Sequence, residues 1–180
     1  MKIYFVTSNE GKFREAREIV GKRIVKRPLD IEEIQSADVG KVVLHKLDEA
    51  YRKVGKPVIV EDTGLYLEAL NGFPGALVKH MVERVGIKGV LRLLSYYKND
   101  NAVAETAIGF NDGKNSLLFV SVTKGRIAKK EKGKSGFGWD SVFVPEGSRK
   151  TLAQMDVHEK NLFSARGKSF RKLEVYLIKN

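Results

Sequence analysis

Ile3-Tyr4-Phe5-Val6-Thr7-Ser8-Asn9-Glu10-Gly11-Lys12 is the stretch on which the fold turns. An apolar run stops at a polar turn, and Phe13, Ala16, Ile19 and Val20 then recur at helical spacing. The pattern predicts strand, turn and helix, the opening of an α/β unit. Ser8 or Asn9 suits the N-cap, and the turn's hydroxyls and free backbone N–H groups face the end of the first strand. A helix N-terminus attracts anions, and the macrodipole favours acids in its first turn. Lys12 opposes that preference. Either it meets an anionic ligand such as a phosphate chain, or it is a solvated lysine on an ordinary capped helix.

Further along, Pro57-Val58-Ile59-Val60-Glu61-Asp62-Thr63-Gly64-Leu65 reads as a buried-type strand ending in two carboxylates. Neighbours on a strand point to opposite faces, so only one of Glu61 and Asp62 is expected to look into a given cleft. Carboxylates at the C-terminal end of such a strand lie where α/β sheets bind ligands, and hard oxygen donors suit Mg²⁺. Asp30, Glu32 and Glu33 form a second acidic set. Between the two sets, Val39, Val42, Val43, Leu47, Ala50, Tyr51 and Val54 recur at helical spacing, with Lys46 off the centre of that stripe. Ser135-Gly136-Phe137-Gly138-Trp139-Asp140 joins flexible backbone, two aromatic faces and a carboxylate. This is what a pocket for a flat heterocycle needs, although a tight turn with a packed aromatic uses similar residues.

The rest of the chain is placed more coarsely. Ala76–Val85 and Ile87–Tyr97 read as two helices broken at Gly86, with Tyr96 and Tyr97 packing at the helix end. Asn101–Thr123 reads as two strands around Asn111-Asp112-Gly113-Lys114, a hairpin signal. Ser141–Pro145 is a further strand, and His158–Ile178 reads as one terminal helix. The chain has 180 residues, 42% of them hydrophobic, which is ample for one compact core. It has no cysteine, which excludes disulfides and Cys-based zinc sites. No stretch approaches a membrane span, and a cytoplasmic protein is expected. The net charge of +11 attracts polyphosphates of any kind. Its densest part, Lys124–Lys134, has no interleaved aromatic residues, and from Arg126 it reads as a solvated loop leading to the pocket.

Taken in order, these segments resemble the inosine triphosphate pyrophosphatase family, the Ham1-like nucleotide-sanitising enzymes, along nearly the whole chain. Thr7-Ser8-Asn9-Glu10-Gly11-Lys12 is similar to the family's phosphate-binding motif. Glu61-Asp62-Thr63-Gly64-Leu65 with Asn71-Gly72-Phe73-Pro74-Gly75 is similar to its acidic segment, and Gly136-Phe137-Gly138-Trp139-Asp140 to its base pocket. Glu159-Lys160-Asn161, Ser164 and Arg166-Gly167-Lys168 resemble its last motif, except that Ala165 stands where the family has histidine.

The resemblance implies an α/β fold with a long mixed central sheet flanked by helices. It implies a single domain over 1–180, made of two lobes with a cleft between them, and a homodimer. The implied reaction is Mg²⁺-dependent hydrolysis of ITP, dITP or XTP to the monophosphate and pyrophosphate. Asp62 would be the proton acceptor and, with Glu33, a metal ligand. Thr7, Ser8, Asn9, Lys12 and Thr63 would hold the phosphates. Lys46, Phe137, Gly138, Trp139, Asp140, Lys160 and Arg166 would meet the rest of the substrate and its base. Two other readings stay open: a Maf-type pyrophosphatase with a different base preference, and a basic nucleic-acid-binding module that needs no metal.

Overall fold

The computed structural model describes residues 2–180. A seven-stranded mixed sheet runs through the molecule in the order β2-β1-β3-β5-β6-β7, with β4 beside β3. The strands are β1 (Ile3–Phe5), β2 (Ile24–Lys26), β3 (Val58–Leu67), β4 (Pro74–Gly75), β5 (Asn101–Asn111), β6 (Ser116–Ile127) and β7 (Phe143–Pro145). The first three pair in parallel and the remaining pairs are antiparallel. The opening stretch therefore forms the strand, turn and helix its pattern predicts, with α1 (Glu10–Val20) crossing from β1 to β2.

The hairpin of β5 and β6 is in register from Asn101↔Arg126 to Asn111↔Ser116. At its turn the Asp112 carboxylate accepts from the Lys114 and Asn115 amides, and Gly113 takes φ +89°. Here β6 runs further than expected. Lys124 to Ile127 belong to the strand, held by β5 on one side and β7 on the other, so the basic loop begins after Ile127 and Ala128, both buried.

Strand alternation divides the core between two faces. Phe5, Ile59, Ile108 and Phe110 pack with Ala16 of α1 and with Phe170 of α5 (Ala165–Lys179). Val58, Val60 and Ala107 meet Val43 and Leu47 of α2. That helix spans Val39–Val54 as its periodicity predicts, capped by Asp38 and closed by Gly55 in the left-handed region. A third cluster joins Leu65, Ala104 and Phe143 to Val78 and Val90 of α3 (Val78–Ser95). Gly86, at φ 68° and ψ 168°, breaks α3 where the sequence predicts two helices. Tyr96 and Tyr97 do not pack; they are 74% and 50% exposed, because the helix ends at Ser95 and its inward stripe of Val78, Val90 and Leu94 no longer governs them.

The terminal segment is also two helices rather than one, α4 (Val157–Phe163) and α5. Ser164, at ψ 148°, leaves the helix and caps the next one by accepting from the Gly167 amide. Periodicity alone hides such a corner, since the apolar spacing continues through it. Gly167 is the residue that lets the corner close, because a Cβ there would enter the Asn161 carbonyl. Gly167→Ala is expected to destabilise the fold by about 1–3 kcal/mol or more. A urea midpoint equal to that of the parent protein would show that the corner can relax.

Candidate active site

On its way along the sheet β3 changes neighbour. It pairs with β1 at Val58 and Ile59, and with β4 only from Leu65, so Glu61 to Gly64 present an open edge on that side. A cavity of about 540 Å³ opens there. A ligand at a strand edge is reached from both faces, and Glu61, Asp62 and Thr63 all line the cavity. The alternation argument, which admits only one of the two carboxylates, is corrected by this geometry. Lys12 Nζ stands 2.9 Å from Glu61 Oε2 and 3.8 Å from Asp62 Oδ1.

One end of the cavity is built on α1. Asn9, not Ser8, is the N-cap: its Oδ1 accepts from the Lys12 amide at 2.9 Å, while its own amide donates to Thr7 Oγ1 at 3.1 Å. These bonds fix the turn, and Thr7, Ser8, Asn9 and Lys12 all line the cavity. Lys46 is largely buried and donates to Glu33 Oε1 at 2.8 Å. Burial alone would lower the Lys46 pKa, but Asp62 and then Glu33 outweigh it and raise it. Glu33 is held below its ordinary value, its burial being outweighed by Lys46 and, more weakly, Lys79 and Lys12. For Asp62 the balance goes the other way: burial raises its pKa against the pull of Lys12 and Lys46. Of the second acidic set Asp30 and Glu33 reach the cavity, whereas Glu32 is exposed and its amide donates to Glu49.

At the other end lies a ring of buried charge. Lys160 Nζ donates to Glu15 Oε1 and to Asp140 Oδ2, both at 2.6 Å. Asp140 Oδ2 also accepts from the Phe137 amide at 2.8 Å. Arg166 donates from Nη1 to Glu15 Oε2 at 2.7 Å, from Nε to Glu61 Oε1 at 3.2 Å, and from Nη2 to Thr63 Oγ1 at 3.3 Å. The Phe137 ring lies over both cations, 4.6 Å from Lys160 Nζ and 5.1 Å from Arg166 Cζ. Gly138 and Trp139 complete this wall, the indole set edge-on to Phe143. Burial is the largest influence on Glu61 and raises its pKa, yet Arg166 and then Lys12 more than reverse it and hold the carboxyl at about 2. Arg166 is raised in turn by Glu61 and Glu15 against its own burial. The Lys12 ammonium is close to Glu61 Oε2 but off the line of a hydrogen bond, which leaves that oxygen without a hydrogen-bond donor. Thr63 gives its one proton to Glu61 Oε1 at 2.5 Å, so in the 2.8 Å contact with Thr106 it is Thr106 that donates.

Every residue expected at the site therefore reaches the cavity, including Ala165, the first residue of α5, which is 2% exposed and joins the apolar cluster of Val78 and Leu152. Glu15 and Lys79 were not singled out by sequence reasoning. The signal for Glu15 was available: an acid beside Ala16 on the inward stripe of α1, three residues after Lys12. Lys79 gives no such signal, because only the direction of α3 brings it to the cavity mouth.

The donor set suits a hard cation. Among the described residues no group of three or more His, Cys, Asp or Glu is arranged to hold a metal by itself. Asp62 accepts no hydrogen bond from them, its nearest cation being Lys12 at 3.8 Å. A free carboxylate with a second one nearby fits Mg²⁺, which binds through one or two carboxylates and takes its other ligands from phosphates and water.

The chain is similar to known proteins in both sequence and fold. The chain is 40% identical over 175 residues to the dITP/XTP pyrophosphatase of Pyrococcus horikoshii, covering 95% of this chain and 94% of that one. It is 39% identical over 186 residues to the inosine triphosphate pyrophosphatase of Kluyveromyces lactis, covering 98% and 95%. A Ham1 protein structure from Coxiella burnetii superposes with a TM-score of 0.85 over the whole of both chains, at 26% identity. That likeness extends to the α/β architecture and its mixed sheet. The model of the Ham1 family matches residues 3–176, so nearly every element described above lies within it, and the chain belongs to the Ham1 family.

Proposed function

We propose that this chain hydrolyses non-canonical purine nucleoside triphosphates, such as ITP, dITP and XTP, to the monophosphate and pyrophosphate, with Mg²⁺. The observation that carries the reading is the pairing of chemistries in one cavity: Asp62, uncommitted and beside lysines, at one end, and an aromatic lid over buried charges at the other. The first end suits a triphosphate. The second suits a flat base.

In this reading the N-terminus of α1 and Lys12, Lys46 and Lys79 hold the triphosphate, exchanging their carboxylate partners for phosphate oxygens. Asp62 and Glu33 would hold Mg²⁺, which neutralises charge on the phosphates when bound. Asp62, whose pKa lies above its ordinary value, orients the attacking water and accepts its proton. Phe137 and Trp139 supply aromatic faces for the base. The three bonds of Arg166 leave two of the five guanidinium N–H donors, suited to the 6-keto oxygen of hypoxanthine or xanthine. Adenine offers an amino donor at that position and is disfavoured. The reading carries with it a homodimer, a two-lobed single domain and a place in the cytoplasmic nucleotide pool. No described helix is long and apolar enough to cross a membrane.

The test is pyrophosphate release with Mg²⁺ from ITP, XTP, dITP, ATP, GTP and UTP in parallel. The expected result is a kcat/KM for ITP, XTP and dITP at least about 10²-fold above that for ATP. A pyrimidine preference would support a Maf-like specificity. Absence of hydrolysis together with salt-dependent nucleic-acid binding would replace the enzyme by a binding module.

A further inference from the structure

Gly11 is the second residue of α1, and its backbone is helical, so no dihedral requirement explains a glycine there. Glycine is among the weakest helix formers, which makes its presence in the first turn a local disadvantage. Space explains it instead. A Cβ on Gly11 would stand 2.5 Å from both Cδ1 and Cε1 of Phe137, whereas carbon atoms pack at about 3.5–4.0 Å.

The ring cannot yield toward the layer beneath it. Its own amide is tied to Asp140 Oδ2 at 2.8 Å, and it lies 4.6 Å from Lys160 Nζ and 5.1 Å from Arg166 Cζ. Both cations are fixed in turn by Glu15, Asp140 and Glu61, so the layer beneath the ring is rigid.

We infer that Gly11 is a positioning residue: its bare backbone is the seat of the Phe137 ring and sets where that aromatic face stands over Lys160 and Arg166. The kinetic consequence rests on the proposed purine substrate, whose base stacks on that face; the geometric consequence does not. A side chain at position 11 must push the ring toward the space the base requires, and a base that stacks less fully on that face binds more weakly by about tenfold or more, a loss that falls on KM.

The experiment compares Gly11→Ala, Phe137→Ala and the double variant with the parent protein, using a crystal structure of Gly11→Ala without substrate and steady-state kinetics on ITP. The ring is expected to be displaced by about 1 Å or more in Gly11→Ala. KM for ITP is expected to rise about tenfold or more, with kcat held within about twofold. In the double variant the Gly11→Ala change is expected to add nothing to Phe137→Ala, since the ring it disturbs is gone. The thermal midpoint of Gly11→Ala is expected to fall only modestly, because the better helix propensity of alanine offsets part of the crowding against Phe137, and the double variant, which lacks the ring, is expected to show no such fall relative to Phe137→Ala, which separates mispositioning from unfolding. A ring in its original place in the variant crystal, or penalties that multiply in the double variant, would overturn the inference. If the parent protein hydrolyses no purine triphosphate, the purine reading fails and the crystal structure still decides the role of Gly11.

Discussion

Asp62→Asn is expected to lower kcat for ITP by about 10³-fold, with the fold intact. Asparagine keeps the shape of the side chain but can neither accept a proton nor bind a hard cation as a carboxylate does. The neighbours of Asp62 give the result its specificity. Lys12 and Lys46 are cations that suit phosphates, and both remain, so substrate binding persists while the proton acceptor is gone. Stability should move the other way. The folded-state pKa of Asp62 is raised, chiefly by burial, so its ionised form is disfavoured in the folded protein and it destabilises the fold increasingly as pH rises through that value. Replacing it by a neutral amide removes this penalty at neutral pH, and the thermal midpoint is expected to hold or rise. Single-turnover pyrophosphate release and a melting curve check both halves, and an unchanged kcat would remove Asp62 from the chemistry.

Arg166→Ala is expected to have the largest effect on stability, a loss of about 3–5 kcal/mol. Arg166 is 5% exposed, and its guanidinium bonds Glu15, Glu61 and Thr63. Without it, Glu15 keeps Lys160 as its cation, while Glu61, 3% exposed, keeps only Lys12, which is off hydrogen-bonding line. The pH dependence identifies the cause. Glu61 is depressed from 4.5 to about 2 in the folded parent protein, so its ion pairing stabilises the fold above pH 4.5 and is lost as pH falls toward about 2. In Arg166→Ala the burial of Glu61 is opposed by less positive charge, its pKa rises, and the variant loses less on acidification. The difference between the two proteins should therefore be greatest near neutral pH and narrow in acid. Urea unfolding at pH 7 and near pH 3 measures it. Arg166→Lys should recover little, since one ammonium cannot span three acceptors. A loss under about 1 kcal/mol would mean that water or Lys12 takes over the pairing.

Most of the site was legible before the fold was known, and what escaped did so for local reasons. Helix α2 was readable to the residue, because sixteen positions of amphipathic spacing lie between a good cap and a left-handed glycine. The break at Gly86 was readable because glycine punctuates an otherwise helical pattern. The corner at Ser164 was not, since serine is an ordinary residue within a helix and becomes a cap only when Gly167 lets the chain turn against Asn161. The extent of β6 was also hidden. Arg126, within a run of basic residues, looks like the start of a loop until β5 and β7 are seen to pair with it.

By itself the sequence determined the opening strand, turn and helix, the amphipathic helices and the hairpin, because these depend on periodicity, capping and turn residues within a few positions of one another. It also determined which residues could carry chemistry, because that is a property of side-chain type and motif order. Tertiary structure alone decided how they meet. It left the edge of β3 open between β1 and β4, so that two consecutive carboxylates share one cavity. It also brought Glu15 of α1, Glu61 of β3, Asp140 and Lys160 and Arg166 of the last two helices into one buried ring. Residues some 145 positions apart neutralise one another there, and the strength of that pairing comes from the exclusion of water, which no local pattern records.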